Sequence, residues 1–281
     1  MARNPAVKRP NIVVGTDGSA GARIAVMRAT RIAAHSGAVL HVVHARGRIP
    51  ARLARLFGVR ASALDAVLEE IVEHARAAGA SARLHRLDKS PTQALREVAR
   101  RVAADLVVVG TRGLAVRHLL LGSTAERVAS ALRSPVLLAR NPGHRRYREV
   151  FVAVALDTPL GPALRAAQLV APDRPLSVMH AYQGQFETTL MLHGVDPDEL
   201  ASYRAQAKKE ARTALLHRLD AAGLARSALV LRHGDARNVL AATRREALLV
   251  MPRDEGMLRK ALLGSVTRSV VTEGDVDILV V

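Results

Sequence analysis

The segment best equipped for chemistry is Gly110-Thr111-Arg112-Gly113, followed after eight residues by Gly122-Ser123. It leaves an apolar run of the buried-strand type and ends by opening a helix. Small residues there let backbone N–H groups approach phosphate oxygens, and a helix start presents unpaired donors and a positive dipole. Ser123 adds a hydroxyl donor, and Arg112 and Arg117 add charge. Glycines also serve plain turns, so the strand before and the Gly-Ser helix start after them carry the phosphate reading. Asp17 ends the first apolar run, where open α/β sheets place their ligands. Its carboxylate can accept from a ribose hydroxyl or an adenine amino group. It can equally cap the next helix, and the sequence leaves both roles open.

Other constellations are weaker. His41 and His44 are three apart on a strand and point to opposite faces, a poor chelate. His44 and its echo His180 end equivalent strands, where a hydrogen-bonded or solvated ring is the simpler reading. The chain has no cysteine, which excludes disulfides, thiolate zinc sites and cysteine nucleophiles. HExxH, GxSxG and Walker A patterns are missing. Glu69, Glu70 and Glu73 read as a solvated helix face. No clear general base stands beside the phosphate segment, so the reading is a binder without efficient catalysis. Arg46, Arg48, Arg52, Arg55 and Arg60 crowd one segment, but with three Phe, three Tyr and no Trp, stacking for single-stranded nucleic acid is scarce.

These residues must be held by a scaffold, and its elements alternate. Apolar runs at 11–16, Val39–His44, Ala82–Leu87, Asp105–Gly110 and Pro135–Ala139 are separated by helical patterns. The helices run to His35, over Ala61–Ala78, from Ser90-Pro91 to about Ala103, and over Gly122–Leu132. Ser90 followed by proline is a cap with proline at the first helical position. Five short strands alternating with four helices predict a parallel sheet covered on both faces.

The second half repeats the first. Strand Glu149–Leu156 ends in Asp157 as the first ended at Asp17, and Gly161 lies 140 residues after Gly21. Val43-His44-Ala45 is echoed by Met179-His180-Ala181, and Leu121-Gly122-Ser123 by Leu263-Gly264-Ser265. A helix over 197–222, a strand Ser227–Arg232, a cap at Asp235, a strand Leu248–Met251 and a closing strand Asp277–Val281 complete the copy. The expectation is two tandem domains, 1–146 and 147–281, divided near Asn141–Tyr147.

Charge is unevenly placed between them. The net charge of +17 divides into 25 basic against 9 acidic residues up to position 146, and 17 against 16 after it. The first half therefore attracts anions, which allows but does not require nucleic acid or an anionic surface as partner. No run approaches the roughly 18 apolar residues of a membrane span and no signal-like apolar stretch opens the chain, so the expectation is a cytoplasmic protein, not a membrane one.

Together, NIVVGTDGS, SPTQAL, DLVVVGTRG and LLLGSTAERV with SPVLLAR resemble the universal stress protein family in its tandem form. The resemblance implies an α/β fold of two open five-stranded parallel sheets, each of order 3-2-1-4-5, with helices on both faces. It implies ATP, with or without Mg2+, as the cofactor. The implied contacts are Asp17, Val43, Gly110, Gly113, Gly122, Ser123 and Thr124, beside which Arg112 is counted for its charge. It also implies antiparallel pairing of the closing strands Val136–Ala139 and Ile278–Val281, within one chain or in a homodimer. The family's glycine pattern has a nine-residue second spacer, and the first half has eight. In the second half Met251 and Asp254 stand at the glycine positions, with nine residues to Gly264, and Asp157 is kept. That site therefore reads as degenerate. Two functions are compatible with this: a stress-response protein binding ATP in its first domain, or an interaction or small-ligand protein whose pockets have lost ATP.

Overall fold

A computed structural model describes residues 9–46, 61–111, 123–141, 146–253 and 264–281. The chain divides into two compact units, one up to Arg146 and one from Tyr147 on.

In the first unit the strands are β1 (Asn11–Thr16), β2 (Val39–Ala45), β3 (Ser81–Leu87), β4 (Leu106–Gly110) and β5 (Val136–Ala139). Their order is β3-β2-β1-β4-β5, and each neighbouring pair runs parallel. The helices are α1 (Ala20–Ser36), α2 (Ala61–Ala77), α3 (Pro91–Arg101) and α4 (Ser123–Ala131). The order makes two crossovers run one way from β1 and two the other way. With right-handed connections, α1 and α2 therefore share one face and α3 and α4 the other. Both faces being covered explains why β1, β4 and β5 are continuous apolar runs: Ile12, Val13 and Val14, then Leu106 to Val108, then Val136 to Leu138 are fully buried. Leu68, Val72 and Ala75 form the buried stripe of α2, at helical spacing. Pro91 opens α3 as expected, with the Ser90 N–H donating to Gln93 Oε1.

The second unit holds β6 (Glu149–Ala153), β7 (Leu176–Tyr182), β8 (Leu229–His233), β9 (Ala247–Met251) and β10 (Asp277–Val280). Its order, β10-β9-β6-β7-β8, is that of the first unit. The helices are α5 (Leu160–Val170), α6 (Glu187–Leu192), α7 (Pro197–Ala221), α8 (Ala236–Ala241) and α9 (Ser265–Glu273). The expected architecture is present in both halves. Two details go beyond or against expectation. The first strand of this unit stops at Ala153, not Leu156, because the chain leaves the ladder into a turn at Leu156 and Asp157. The short helix α6 is an addition the periodicity did not reveal, since six residues are too few to establish a helical period.

Candidate functional site

The site expected of the first unit lies at the carboxyl ends of β1 and β4. The loop after β1 is three residues long and braced by side-chain hydrogen bonds. Thr16 Oγ1 accepts from the Gly18 N–H at 3.3 Å, Asp17 Oδ1 accepts from the Ser19 N–H at 2.9 Å, and Ser19 Oγ accepts from the Ala22 N–H at 3.2 Å. Gly18 takes φ +79°, a left-handed conformation that glycine adopts without strain. Ser19, not Asp17, is the cap of α1. Asp17 is exposed, and among the described residues its second carboxylate oxygen has no hydrogen-bond partner.

The other expected contacts fall differently. Val43 is buried at 2 % exposure, in register with Gly15 and His85, so its side chain belongs to the core. Gly110 ends β4 against the first turn of α1: a Cβ there would lie 2.5 Å from the Gly21 carbonyl oxygen. Its lack of a side chain is thus required by helix packing, whatever binds nearby. Ser123 and Thr124 open α4. Arg112, Gly113 and Gly122, with Arg117, lie outside the described residues.

Hydrogen bonds align the two units residue by residue. His44 Nδ1 donates to Thr16 O at 2.9 Å, and His180 Nδ1 donates to Val154 O at 2.8 Å. Thr16 therefore corresponds to Val154, and Asp17 to Ala155. At the other end of the site, the Thr111 N–H donates to Ala139 O and the Arg253 N–H to Val281 O. Thr111 therefore corresponds to Arg253, Gly110 to Pro252 and Val109 to Met251.

This alignment corrects two sequence readings. Asp157 is not the counterpart of Asp17. Between the histidine-bonded residue and the helix the second unit has five residues, 155–159, against three, 17–19, so the offset of 140 that links the helices overshoots the strand by two. Met251 and Asp254 are likewise not at the glycine positions: Pro252 replaces Gly110, and counting on, Glu255 replaces Gly113. The second spacer is then eight residues in both halves, and the shorter loop is a shared trait. Asp254 and Glu255 themselves lie outside the described residues.

The longer second loop is held by other means. Arg218 of α7 donates to the carbonyls of Ala155, Leu156 and Thr158, and the Ala155 N–H donates to Thr158 Oγ1 at 3.0 Å. Arg253, at the position of Thr111, is sunk deeply enough that burial pushes its guanidinium down to about 10.

Three further clusters were missed or read too simply from sequence. His41 and His85 stack with ring centroids 5.2 Å apart, His41 Nδ1 lying 2.9 Å from His85 Nε2. Burial first, then the charges of His85, Arg83 and Arg101, push His41 down to about 4. Glu187 of α6 is 1 % exposed and accepts from Arg204 Nε at 2.5 Å and His233 Nε2 at 2.9 Å. Burial raises its carboxyl, but the bonds from His233, Arg204 and the Gly184 N–H outweigh it and hold the group below the ordinary range. A buried glutamate in QGQFETTLM carries no sequence signal, because its partners come from two other elements. The acidic face of α2 is not merely solvated either. Asp65 binds Arg46 at 3.3 Å and Arg86 at 2.9 Å, Glu69 binds Arg86 at 2.6 Å, and Glu73 binds Arg76 at 2.6 Å. Arg46, one of the crowded arginines, is thus already paired; Arg48, Arg52, Arg55 and Arg60 lie outside the described residues. Among the described residues no cluster of three His, Cys, Asp or Glu could hold a metal ion, and no helix is long and apolar enough to cross a membrane.

A model of the universal stress protein family matches residues 8–140 and again 146–281. A Thermus aquaticus protein described as a universal stress protein in the QAH/OAS sulfhydrylase 3′ region is 37% identical over 139 residues, 46% of this chain and 97% of its own length. A universal stress protein from Archaeoglobus fulgidus, solved by crystallography, superposes with a TM-score of 0.66 at 18% identity, covering 96% of this chain and 97% of its own. A functionally unknown Pseudomonas aeruginosa protein does so with a TM-score of 0.63 at 16% identity, covering 97% and 92%. The last two likenesses concern the fold; the two family matches together span nearly the whole chain, which belongs, as a tandem pair of domains, to the universal stress protein family.

Proposed function

We propose that this chain is a stress-response protein that binds an adenine nucleotide, ATP, in its first unit and does not hydrolyse it efficiently. The observation that carries the reading is Asp17: an exposed carboxylate at the carboxyl end of the first strand, with one oxygen already oriented by the Ser19 N–H and the other uncommitted among the described residues. A carboxylate held this way suits a ribose hydroxyl or an adenine amino group, both donors. Ser123, where α4 opens after the glycine-bearing segment, suits the phosphates. When bound, the nucleotide supplies the phosphates and ribose that these groups orient.

The second unit lacks the counterpart of Asp17, carries proline for Gly110, and by count has glutamate for Gly113, where a carboxylate would repel a triphosphate. We read it as a site without nucleotide. Calorimetric titration should give one ATP per chain, and Asp17→Ala should weaken it by about 1–3 kcal/mol, the scale of a lost charge-assisted hydrogen bond. Two equivalent sites, or an unchanged affinity in folded Asp17→Ala, would overturn the reading.

A second reading, an interaction protein that has lost nucleotide binding, is favoured by Gly110 and Val43. The glycine is explained by packing against Gly21, and the valine is core. Absence of any ATP binding by the intact chain would decide for it.

A further inference from the structure

His44 near the end of β2 and His180 near the end of β7 make the same bond. A carbonyl oxygen only accepts, so in each ring Nδ1 carries the proton and donates, at 2.9 Å to Thr16 O and at 2.8 Å to Val154 O. The His44 ring is 6 % exposed, so this bond is sheltered from water. It ties the last carbonyl of the first strand to its neighbour at the point where chain leaves sheet.

Beyond that carbonyl the two units differ. After Thr16 comes Asp17, and three side chains in succession accept from the backbone ahead: the Thr16 hydroxyl from Gly18, one oxygen of the Asp17 carboxylate from Ser19, the Ser19 hydroxyl from Ala22. Asp17 is thus fixed from behind by His44 through Thr16 and from ahead by α1 through Ser19. After Val154 comes Ala155, with no hydroxyl and no carboxylate to place, and Arg218 gathers the longer loop instead. The histidine clasp is a device of the fold in both units, but only in the first does it end in a group that can meet a ligand.

We infer that His44 is a positioning residue for the nucleotide site: its Nδ1–H, by fixing the Thr16 carbonyl, sets the direction of the Asp17 carboxylate. This rests on the adenine-nucleotide reading above. His180 performs the same bond with no ligand group to orient, which makes it the built-in control.

The test is a double-mutant cycle on the full chain, with ATP affinity and thermal unfolding measured for wild type, Asp17→Ala, His44→Phe, the double variant and His180→Phe. Phenylalanine keeps the ring volume and removes the donor. His44→Phe should weaken ATP about five- to tenfold, and it should cost less than twofold further in the Asp17→Ala background, since residues acting through one another are not additive. His180→Phe should lower the melting temperature while leaving ATP affinity within twofold. Multiplicative losses in the double variant, or an unaltered affinity in His44→Phe, would overturn the positioning role while leaving the nucleotide reading intact. Equal affinities of wild type and Asp17→Ala would overturn both. Should His44→Phe fail to fold, His44→Gln keeps an amide donor and must bind ATP within twofold of wild type; a loss as large as that of Asp17→Ala refutes the inference.

Discussion

The loops after β1 and β6 began as copies and have diverged in opposite directions. The first is three residues long, closed by its own side chains, and presents Asp17. Counted from the histidine-bonded carbonyl, the second is two residues longer; it is closed by Arg218 from another helix and presents alanine at that place. Around both, the sheet is unchanged: the same strand order, the same first-to-fourth strand register and the same histidine clasp. A slip of one residue in a strand would turn its whole buried set to the wrong face, whereas lengthening a surface loop by two costs little. The two units therefore share their scaffold and differ in their loops.

The largest difference between the units should appear at Gly110. A Cβ there meets the backbone of Gly21, at 2.5 Å from the oxygen and 2.8 Å from the carbon, and neither can swing aside as a side chain would. Gly110→Ala should destabilise the first unit by about 2–3 kcal/mol. In the second unit Pro252 already carries a Cβ, so α5 must start further from the strand than α1 does. Gly161, the counterpart of Gly21, has only the tip of Arg165 within reach at 3.3 Å. Gly161→Ala should cost nothing and gain up to about 1 kcal/mol from helix propensity. Equal losses at both positions, measured by chemical denaturation, would mean that the two helices dock alike.

The same contrast explains what the sequence could and could not reveal. Strand runs such as LVVVG and ALLVM, the Ser90-Pro91 helix start and the duplicated landmarks are local signals, and the sheet could be read from them. Pairing Asp17 with Asp157 failed because the helix offset of 140 was carried back across an insertion, and pairing Gly110 with Met251 failed because a nine-residue spacer was counted back from Gly264 where the chain has eight. The strand registers and the bond of His180 reveal that the offset changes between β6 and α5, and the bond of Arg253 fixes the alignment after β9. Arg218, Glu187 and the His41–His85 pair were illegible for a related reason: their partners lie tens of residues away. The exposure of Asp17 and the burial of Val43 depend on which side of the sheet each loop leaves, which periodicity does not specify.

Acid should separate the units next. Asn11 Nδ2 donates to Val102 O at 2.9 Å, which turns Asn11 Oδ1 toward His41 Nε2 at 3.1 Å and requires a proton on that nitrogen. His41 Nδ1 then accepts from His85 Nε2, and His85 Nδ1 accepts from Arg101 at 3.0 Å. Each ring holds one proton, and a second on either would set two donors face to face beside Arg83 and Arg101. Both pKa values are lowered, His85 by burial and then by the two arginines. The unfolded chain therefore binds more protons than the folded one below the ordinary histidine value, and stability falls as pH drops from about 6.5 towards about 4. The loss to the first unit should be of order 2 kcal/mol. Glu187 works on the other unit in a lower window: its depressed carboxyl contributes stability above the unfolded value and loses it as pH falls through the folded one. Thermal melts from pH 7 to 4 should lower the first transition before the second, and His41→Asn should flatten that dependence; melts that fall together would contradict it.

The smallest expected difference lies at the helix caps, and it sharpens the comparison most finely. Ser19 accepts from the Ala22 N–H, the third residue of α1, and Ser19→Ala should cost about 1 kcal/mol. Pro159 occupies the cap of α5 and makes no side-chain bond. A missing cap usually marks a place to gain stability, so Pro159→Ser looks at first like the mirror experiment. The third residue of α5, however, is Pro162, which has no N–H to offer. The donor that Ser19 satisfies in the first unit does not exist in the second, and a new hydroxyl would find only the Gly161 N–H. Pro159→Ser should therefore change stability by less than about 0.5 kcal/mol, the more so because removing proline frees the unfolded chain. A gain as large as the loss in Ser19→Ala would show that α5 carries the same unsatisfied donor as α1, and that its start has diverged less than its longer loop implies.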